Sequence, residues 1–356
     1  MLPSDLKIAV YTVALNESQF VERWATSARD ADHLLVVDTG STDDTLAKLD
    51  EFAIEHFAIR VKPWRFDDAR NAALALLPGD IDICISLDMD EILAPNWRAN
   101  LERHWTGNRM RYGYVWSWTA GGRPDLTFHS DKIAGRHTHR WKHPVHEILT
   151  PTTEEVECVC PDVLIEHHPD SSKSRGQYLD LLKLSVQEDP HDDRCAHYLG
   201  REYFFHRRYE EAIAEFERHL KLPKAVWKPE RATSMRYIAK CCNALGDKRN
   251  ANRWFMQAIL EDESREALID AATFLLAQNQ FYITIDLCER ALSLEPTTSY
   301  MAERYANMEG PYDLAAIAHY HIGQKDKAIT LATKALQLNS EDARLQANLT
   351  MMVSND

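Results

Sequence analysis

The first hundred residues alternate between short apolar runs and stretches with helical periodicity. The runs predict four strands, at 7–14, 33–37, 58–61 and 81–87. The stretches between them predict helices, at 19–28, at 46–57 and through 72–77. Because strands and helices follow one another in turn, we expect an α/β fold with a mostly parallel sheet and helices on both faces.

Aromatic and polar residues alternate at 111–119, after a predicted helix at 97–105. The alternation is typical of an edge or antiparallel strand. Trp116 and Trp118 would share one face of it, where they could stack on a sugar. An aromatic strand packed under a loop is the competing interpretation.

The chain changes character at about residue 176, beyond which helical periodicity continues almost to the end. Four similar segments open successive units, at 208–213, 246–251, 279–284 and 323–328. Their last residues are 39, 33 and 44 positions apart, close to the period of about 34 in tetratricopeptide arrays. We therefore expect an α/β domain at 1–175 and an all-α repeat domain at 176–356. Such arrays bind extended peptides, form dimers or act as rigid scaffolds, so a homodimer through the repeats is one expectation.

Composition narrows the class of protein. The chain has 356 residues and a net charge of -14, which argues against a binder of duplex nucleic acid. No stretch is long enough to span a membrane, and the first residues lack the pattern of a signal peptide. The seven cysteines are odd in number and lie in core-like surroundings, so we expect reduced thiols and a cytoplasmic protein.

Three acidic residues, Asp88, Asp90 and Glu91, follow the fourth predicted strand. Open α/β sheets bind ligands at the carboxyl ends of their strands. Carboxylate oxygens suit a divalent cation that is shared with a phosphate, so the segment indicates a metal–diphosphate site. The pattern D-x-D occurs three times in this acidic chain, and a solvated strand end is the competing interpretation.

Asp38 ends the second predicted strand and precedes a turn at Gly40. An acid in this position suits a ribose or a base edge. Ser41 and Asp44 resemble a capping box, so Asp38 and the turn could instead serve only to cap the next helix. Arg70 lies near the start of a predicted helix, where a cation is unfavourable. Either a bound anion or an ion pair with Asp67 or Asp68 would compensate.

Histidines are concentrated in two segments, 137–147 and 163–168. Imidazoles can complete the coordination of a cation, and a carboxylate nearby can take a proton from a nucleophile. Structural histidines are the competing interpretation for each segment alone.

Four segments stand in the order found in the inverting family 2 glycosyltransferases of GT-A fold, which this chain resembles. They lie at 15–17, 36–45, 66–71 and 87–91, with looser matches at 145–147 and 165–167. A GT-A domain followed by tetratricopeptide-like repeats also resembles a group of bacterial glycosyltransferases that includes the sublancin-type peptide S-glycosyltransferases.

The resemblance implies a role for each matching residue. Asp38 would contact the base, with Asn16 and Glu17 lining the same pocket. Arg70 and Asn71 would border the nucleotide and diphosphate, and Asp88 would face the ribose. Asp90 would bind Mn²⁺ or Mg²⁺, with His167 as a further ligand and His146 as its competitor.

The implied reaction is transfer of a sugar from a UDP-sugar with inversion. Glu147 is the first candidate for the base and Glu91 the second. A peptide or protein acceptor is favoured by the repeats, while saccharide, lipid-linked and nucleobase acceptors stay open. The competing functions are an interaction scaffold that has lost catalysis and a nucleotidyltransferase.

Overall fold

The computed structural model describes residues 5–119, 121–170 and 176–354. The chain forms two compact units that divide between Ser185 and Val186. The domain boundary expected after residue 175 adjoins a segment, 171–175, that lies outside the described residues.

The N-terminal unit alternates strands and helices. Its strands are β1 (Ile8–Ala14), β2 (His33–Asp38), β3 (Glu55–Ala58), β4 (Ile83–Ser86), β5 (Glu91–Leu93), β6 (Arg109–Val115), β7 (Thr127–Gly135), β8 (His139–Lys142), β9 (Ile148–Pro151) and β10 (Glu157–His167). Its helices include α1 (Val21–Ala28), α2 (Thr45–Glu51), α3 (Phe66–Leu76) and α4 (Trp97–His104).

One mixed sheet organises this unit, in the strand order β3-β2-β1-β4-β7-β6-β10-β5. The pairs β3–β2, β2–β1, β1–β4 and β6–β10 are parallel, and β8 forms a separate hairpin with β9. Strand β1 lies between β2 and β4, so the chain order reverses there, and ligands of open α/β sheets bind at such a reversal. The expected α/β class with a mostly parallel sheet is confirmed.

Apolar side chains fill both faces of the sheet. Trp24 and Trp97 pack on one face, while Tyr11 and Leu35 belong to the layer that α3 covers on the other. Because both faces are covered, the first, second and fourth strands are nearly continuous apolar runs, which is why sequence predicted them correctly.

Three local predictions were wrong. The third strand is Glu55–Ala58 and not 58–61, because α2 already ends at Glu51 and an edge strand does not need apolar side chains. Ser41 does not cap α2, whose N-cap is Asp44; its hydroxyl instead accepts a hydrogen bond from the Asn16 amide at 2.8 Å. Strand β6 ends at Val115, so Trp116 and Trp118 lie beyond it.

The C-terminal unit is built from paired helices. The remaining helices of the chain are α5 (Tyr178–Glu188), α6 (Asp193–Phe205), α7 (Tyr209–Lys221), α8 (Lys228–Ala244), α9 (Lys248–Glu261), α10 (Arg265–Leu276), α11 (Phe281–Ser293), α12 (Arg304–Asn307), α13 (Gly310–His321), α14 (Lys325–Leu338) and α15 (Ala343–Ser354). Among the described residues, no helix is both long and apolar enough to cross a membrane.

The four repeated segments of the sequence mark the start of the second helix in each pair. Helices α7, α9, α11 and α14 begin within them, each after a residue with positive φ. The last residue of each segment is fully buried, namely Ala212, Ala251, Thr284 and Ala328. Small residues at these positions let the paired helices pack closely, and the predicted helical repeats are confirmed.

Candidate active site

Arg70 lies at the centre of a cluster of charged side chains at the carboxyl end of β4. Its guanidinium donates from Nη2 to Asp88 Oδ1 at 2.7 Å and from Nε to Glu147 Oε1 at 2.5 Å. A third donor reaches Ser86 Oγ at 3.0 Å, and the cation lies 4.9 Å from the Trp141 ring centroid. Arg70 therefore does not pair with Asp67 or Asp68, which lie against Arg65; its partners are two acids distant in sequence.

Lys132 on β7 contacts the second carboxylate oxygen of Asp88. Its ammonium lies 2.8 Å from Asp88 Oδ2 and 3.3 Å from Glu91 Oε1. Burial favours the neutral form of Asp88, but the charges of Arg70 and Lys132 outweigh it and lower the pKa of that carboxyl well below its ordinary value. Asp88 is therefore ionised, with one cation on each oxygen. Lys132 was not predicted from the sequence, because it stands in no motif and lies on an antiparallel strand.

Glu91 is buried and organises the loop that carries the acids. It accepts hydrogen bonds from the Tyr114 hydroxyl at 2.5 Å and from the Asp88 amide at 2.8 Å. Burial and the charge of Glu91 raise the pKa of Tyr114 well above its ordinary value, so the phenol is a donor at neutral pH. With Lys132 as a third donor, both carboxylate oxygens of Glu91 are occupied.

Asp90 faces His167 at the end of β10, with 3.6 Å between Oδ2 and Nε2. The other ring nitrogen, Nδ1, lies 3.2 Å from the carbonyl oxygen of Trp116. Because a carbonyl only accepts, Nδ1 carries the hydrogen, and in the neutral ring the lone pair is on Nε2, facing Asp90. Burial opposes the charged form of His167, but the nearby carboxylate of Asp90 outweighs it and raises the pKa of His167 above the ordinary value.

This donor set fits a divalent cation. A carboxylate oxygen and an imidazole nitrogen are both common ligands, and metal-binding histidines usually donate their second N–H to a backbone carbonyl, as His167 does to Trp116. Asp88 fits less well as a direct ligand, because Arg70 and Lys132 occupy both its oxygens.

Arg23 of α1 links the two segments that carry Asp90 and His167. Its Nη2 donates to the carbonyl of His168 at 3.0 Å and lies 3.5 Å from that of Asp90. The amide of His168 also donates to the Asp90 carbonyl at 2.8 Å. Hydrogen bonds thus join the two backbone segments that carry the candidate ligands.

Hydrogen bonds connect the loops that follow β1 and β2, next to this cluster. Asp38 is buried, and its Oδ2 accepts from the amides of Gly40 at 2.9 Å and Ser41 at 3.1 Å. Asn16, at φ 57°, accepts from the Thr42 amide at 2.7 Å. The backbone amide of Glu17 donates to the Thr45 hydroxyl at 2.8 Å, so the predicted base-binding residues lie in one hydrogen-bonded corner.

Two predicted site residues make structural contacts. The amide of Asn71 bonds the backbone of Trp141 through both ends, each at 2.9 Å. The ring of His146 packs edge-on against Tyr178, 5.6 Å between centroids. Their predicted roles at the nucleotide and the metal stay predictions, and of the two candidate histidines it is His167 that lies against Asp90.

Residues 9–155 match the model of the family described as Glycosyl transferase family 2. This part of the chain is similar to family 2 glycosyltransferases. The matched segment contains the whole charged cluster and ends before His167. The match supports a glycosyltransferase with a nucleotide-sugar donor, and no curated protein matches the chain significantly.

Three solved structures are similar to about half of the chain. YrrB, described as a TPR protein with an unusual peptide-binding site, is 15% identical with a TM-score of 0.36, over 49% of this chain and 83% of its own. MamA from Desulfovibrio magneticus RS-1 is 16% identical with a TM-score of 0.37, over 45% and 82%. The Cut9-Hcn1 structure is 12% identical with a TM-score of 0.41 over 50% of this chain, which spans 33% of that one. The family match and the helix pairs together support an architecture in which a domain similar to family 2 glycosyltransferases is followed by tetratricopeptide-like repeats.

Proposed function

We propose that the N-terminal unit is a metal-dependent inverting glycosyltransferase that uses a UDP-sugar. The observation that carries the proposal is the Asp90–His167 pair at the carboxyl end of β4, beside the ionised Asp88. Asp90 and His167 would hold Mn²⁺ or Mg²⁺, which stabilises negative charge on a departing diphosphate when bound.

The surrounding residues would bind the nucleotide. Asp38, Asn16 and Glu17 lie at the ends of β1 and β2, next to the chain reversal where nucleotides bind in such sheets. Arg70, Asn71 and Asp88 would border the ribose and diphosphate. Lys132 joins them as a second cation that lies close enough to Asp88 to orient its carboxylate.

Glu147 is the better candidate for the base. In an inverting displacement the acceptor oxygen or sulfur attacks the anomeric carbon as the bond to the diphosphate breaks, and a carboxylate takes the acceptor proton. Glu91 is 1% exposed and engaged by three donors, so it has no free oxygen to offer an acceptor. Glu147 accepts from Arg70 through one oxygen, Oε1, and this bond would hold its carboxylate in a fixed direction.

A peptide or protein side chain is the acceptor class that we favour, because helical repeats form extended surfaces suited to peptides. The competing scaffold function requires a cluster that no longer binds a nucleotide. The arrangement of Asp38, Asp88 and Asp90 supports the enzyme instead, since Asp38 ends β2 and the other two acids follow β4, at the carboxyl ends of the strands that flank β1.

Calorimetry with UDP and Mn²⁺, followed by a UDP-release assay over a panel of UDP-sugars, tests the proposal. We expect Asp90→Ala to lose Mn²⁺-dependent UDP binding and all release. Asp30→Ala is the matched control, since Asp30 belongs to another D-x-D segment and lies exposed before β2. A wild-type protein that neither binds UDP nor releases it from any donor would leave only the scaffold.

A further inference from the structure

Two tryptophans beyond β6 stack on two consecutive histidines at the end of β10. Trp116 lies over His167 with 4.7 Å between ring centroids and 27° between ring planes. Trp118 lies over His168 with 5.0 Å and 11°. The indole nitrogen of Trp118 donates to the His167 carbonyl at 2.8 Å, so the two segments are joined by polar bonds as well as by stacking.

Trp116 remains 40% exposed although it belongs to this packed group. Of the six tryptophans in the N-terminal unit besides it, none reaches that exposure, and Trp24 and Trp97 are almost fully buried. Phe128, 6.3 Å away between centroids, extends the same aromatic surface. An exposed indole beside a strongly polar site is a surface for a ligand that has both apolar and polar faces.

The position of Trp116 restricts what that ligand is. It lies against His167, which faces Asp90, whereas the corner built by Asn16, Asp38 and Ser41 is at the ends of β1 and β2. The nucleoside would occupy that corner and a diphosphate would lie at the cation. Neither group needs an indole next to the cation, but the pyranose ring bonded to the diphosphate, or a pyranose that approaches it, has an apolar C–H face that stacks on aromatic rings.

We propose that Trp116 is the stacking platform of a pyranose-binding subsite beside the cation site. The inference rests on the proposed function, because it takes Asp90 and His167 as the place of the diphosphate. The pyranose comes either from the donor or from a saccharide acceptor, and the two sources are separated by experiment.

The experiment compares wild type with Trp116→Ala, Trp116→Phe and Trp227→Ala. Trp227 is the matched control, since it is also 40% exposed but lies in the C-terminal unit against Tyr300. Calorimetry in Mn²⁺ measures affinity for UDP, UDP-glucose, UDP-galactose and UDP-N-acetylglucosamine. Saturation-transfer NMR, in the presence of UDP and Mn²⁺, measures binding of the methyl glycosides of the same sugars.

We expect Trp116→Ala to keep the wild-type affinity for UDP and to lose about five- to tenfold in affinity for a pyranose ligand. A loss confined to UDP-sugars assigns the platform to the donor, and a loss confined to methyl glycosides assigns it to the acceptor. Trp116→Phe should retain most of the binding, and Trp227→Ala all of it.

Several results would overturn the subsite. One is Trp116→Ala binding every sugar as wild type does, and another is a wild type that binds no pyranose ligand at all. Equal losses for UDP and UDP-sugars in both Trp116 variants would show that the ring only supports His167. If wild type binds methyl glycosides through Trp116 but does not bind UDP, the subsite stands and the proposed donor site fails.

Discussion

Arg70 in the N-terminal unit and Arg236 in the C-terminal unit each lie buried between two carboxylates. Arg70 pairs with Asp88 at 2.7 Å and Glu147 at 2.5 Å, and Arg236 with Asp270 at 2.7 Å and Glu303 at 2.5 Å. A lysine joins each group, Lys132 at Asp88 and Lys240 at Asp270, both at 2.8 Å or less. The two clusters are therefore alike in composition and in contacts.

They differ in the elements that they connect. The Arg70 cluster joins α3, the loop after β4, the antiparallel strand β7 and the loop before β9, all at one edge of the sheet. The Arg236 cluster joins α8 to α10 and to the residue before α12, and so connects neighbouring repeats. A buried ion network alone therefore does not indicate an active site. The place of the network in the fold distinguishes the two cases.

Replacing each arginine should distinguish a cluster that serves the candidate site from one that connects repeats. These substitutions should also give the largest losses of stability. Arg70→Met and Arg236→Met each remove the cation that two carboxylates share and leave a lysine on only one of the two. Breaking a buried pair in this way costs about 3–5 kcal/mol of unfolding free energy. We expect only Arg70→Met to lose UDP binding under conditions in which both variants are still folded. Chemical denaturation and calorimetry measure the two quantities. Loss of UDP binding in a folded Arg236→Met protein would contradict the comparison.

Tyrosines that donate to buried carboxylates occur in both units and allow a smaller test. Tyr114 donates to Glu91 at 2.5 Å, and Tyr300 donates to Glu230 at 3.1 Å. A hydrogen bond to a charged group is worth about 1.5–3 kcal/mol, so Tyr114→Phe should lower the unfolding free energy by that order. Tyr300 is 39% exposed, and water can replace its hydroxyl, so Tyr300→Phe should cost less. Thermal unfolding of the two variants measures both losses. Equal shifts in melting temperature would show that burial of the hydroxyl does not determine the size of the loss.

Much of this arrangement could be predicted from sequence, and the part that could not has a common cause. The acids at the ends of β2 and after β4 were found because they follow continuous apolar runs, and the repeats because small residues recur at helix contacts. Lys132 and the contact of Tyr114 with Glu91 were missed, because antiparallel strands bring in partners 23 to 44 residues away without a local signal. Strand β3 was misplaced because an edge strand carries little apolar pattern.

Two glycines, one in each unit, allow a further comparison in which the expected losses of unfolding free energy are smaller. Gly40, at φ 117°, serves the turn after Asp38, and the described residues leave open space where an alanine Cβ would lie, so Gly40→Ala would be strained only in its backbone. Gly200 has an ordinary φ, but a Cβ there would lie 2.8 Å from the buried ring of Phe216. Overpacking of this kind costs about 1–3 kcal/mol, and we expect Gly200→Ala to destabilise the C-terminal unit within that range.

Gly79→Ala is the control for both, because Gly79 has neither a positive φ nor, among the described residues, a neighbour within 4 Å of its Cβ position. Denaturant unfolding gives the three free energies, and UDP binding adds a second readout at Gly40. If Gly200→Ala were as stable as Gly79→Ala, the close contact of α6 with α7 would not be a packing constraint.

Burial disfavours the charged form of a histidine in both units, but the pKa values of His167 and His197 shift in opposite directions. The carboxylate of Asp90 raises the pKa of His167, whereas burial lowers the pKa of His197 to about 3. His197 Nδ1 lies 2.8 Å from a neutral partner, the Ser234 hydroxyl of α8, and the ring packs against other rings, namely those of Tyr198, Phe216, His219 and Tyr237. Glu230 acts to raise its pKa, while Arg201, His219 and Arg194 add to the lowering.

The lowered pKa of His197 determines how the unfolding free energy changes with pH. Above the ordinary pKa of about 6.5, His197 is neutral in both the folded and the unfolded chain, so its contribution to stability is complete. Below it, the unfolded chain binds a proton that the folded chain does not, and the unfolding free energy should fall by up to about 1.4 kcal/mol per pH unit until the folded pKa is reached. His197→Asn removes the titration while keeping a donor for Ser234. Denaturation of both proteins from pH 7 to pH 5 should therefore give a steeper loss in wild type, and parallel curves would mean that His197 gains its proton in the folded state.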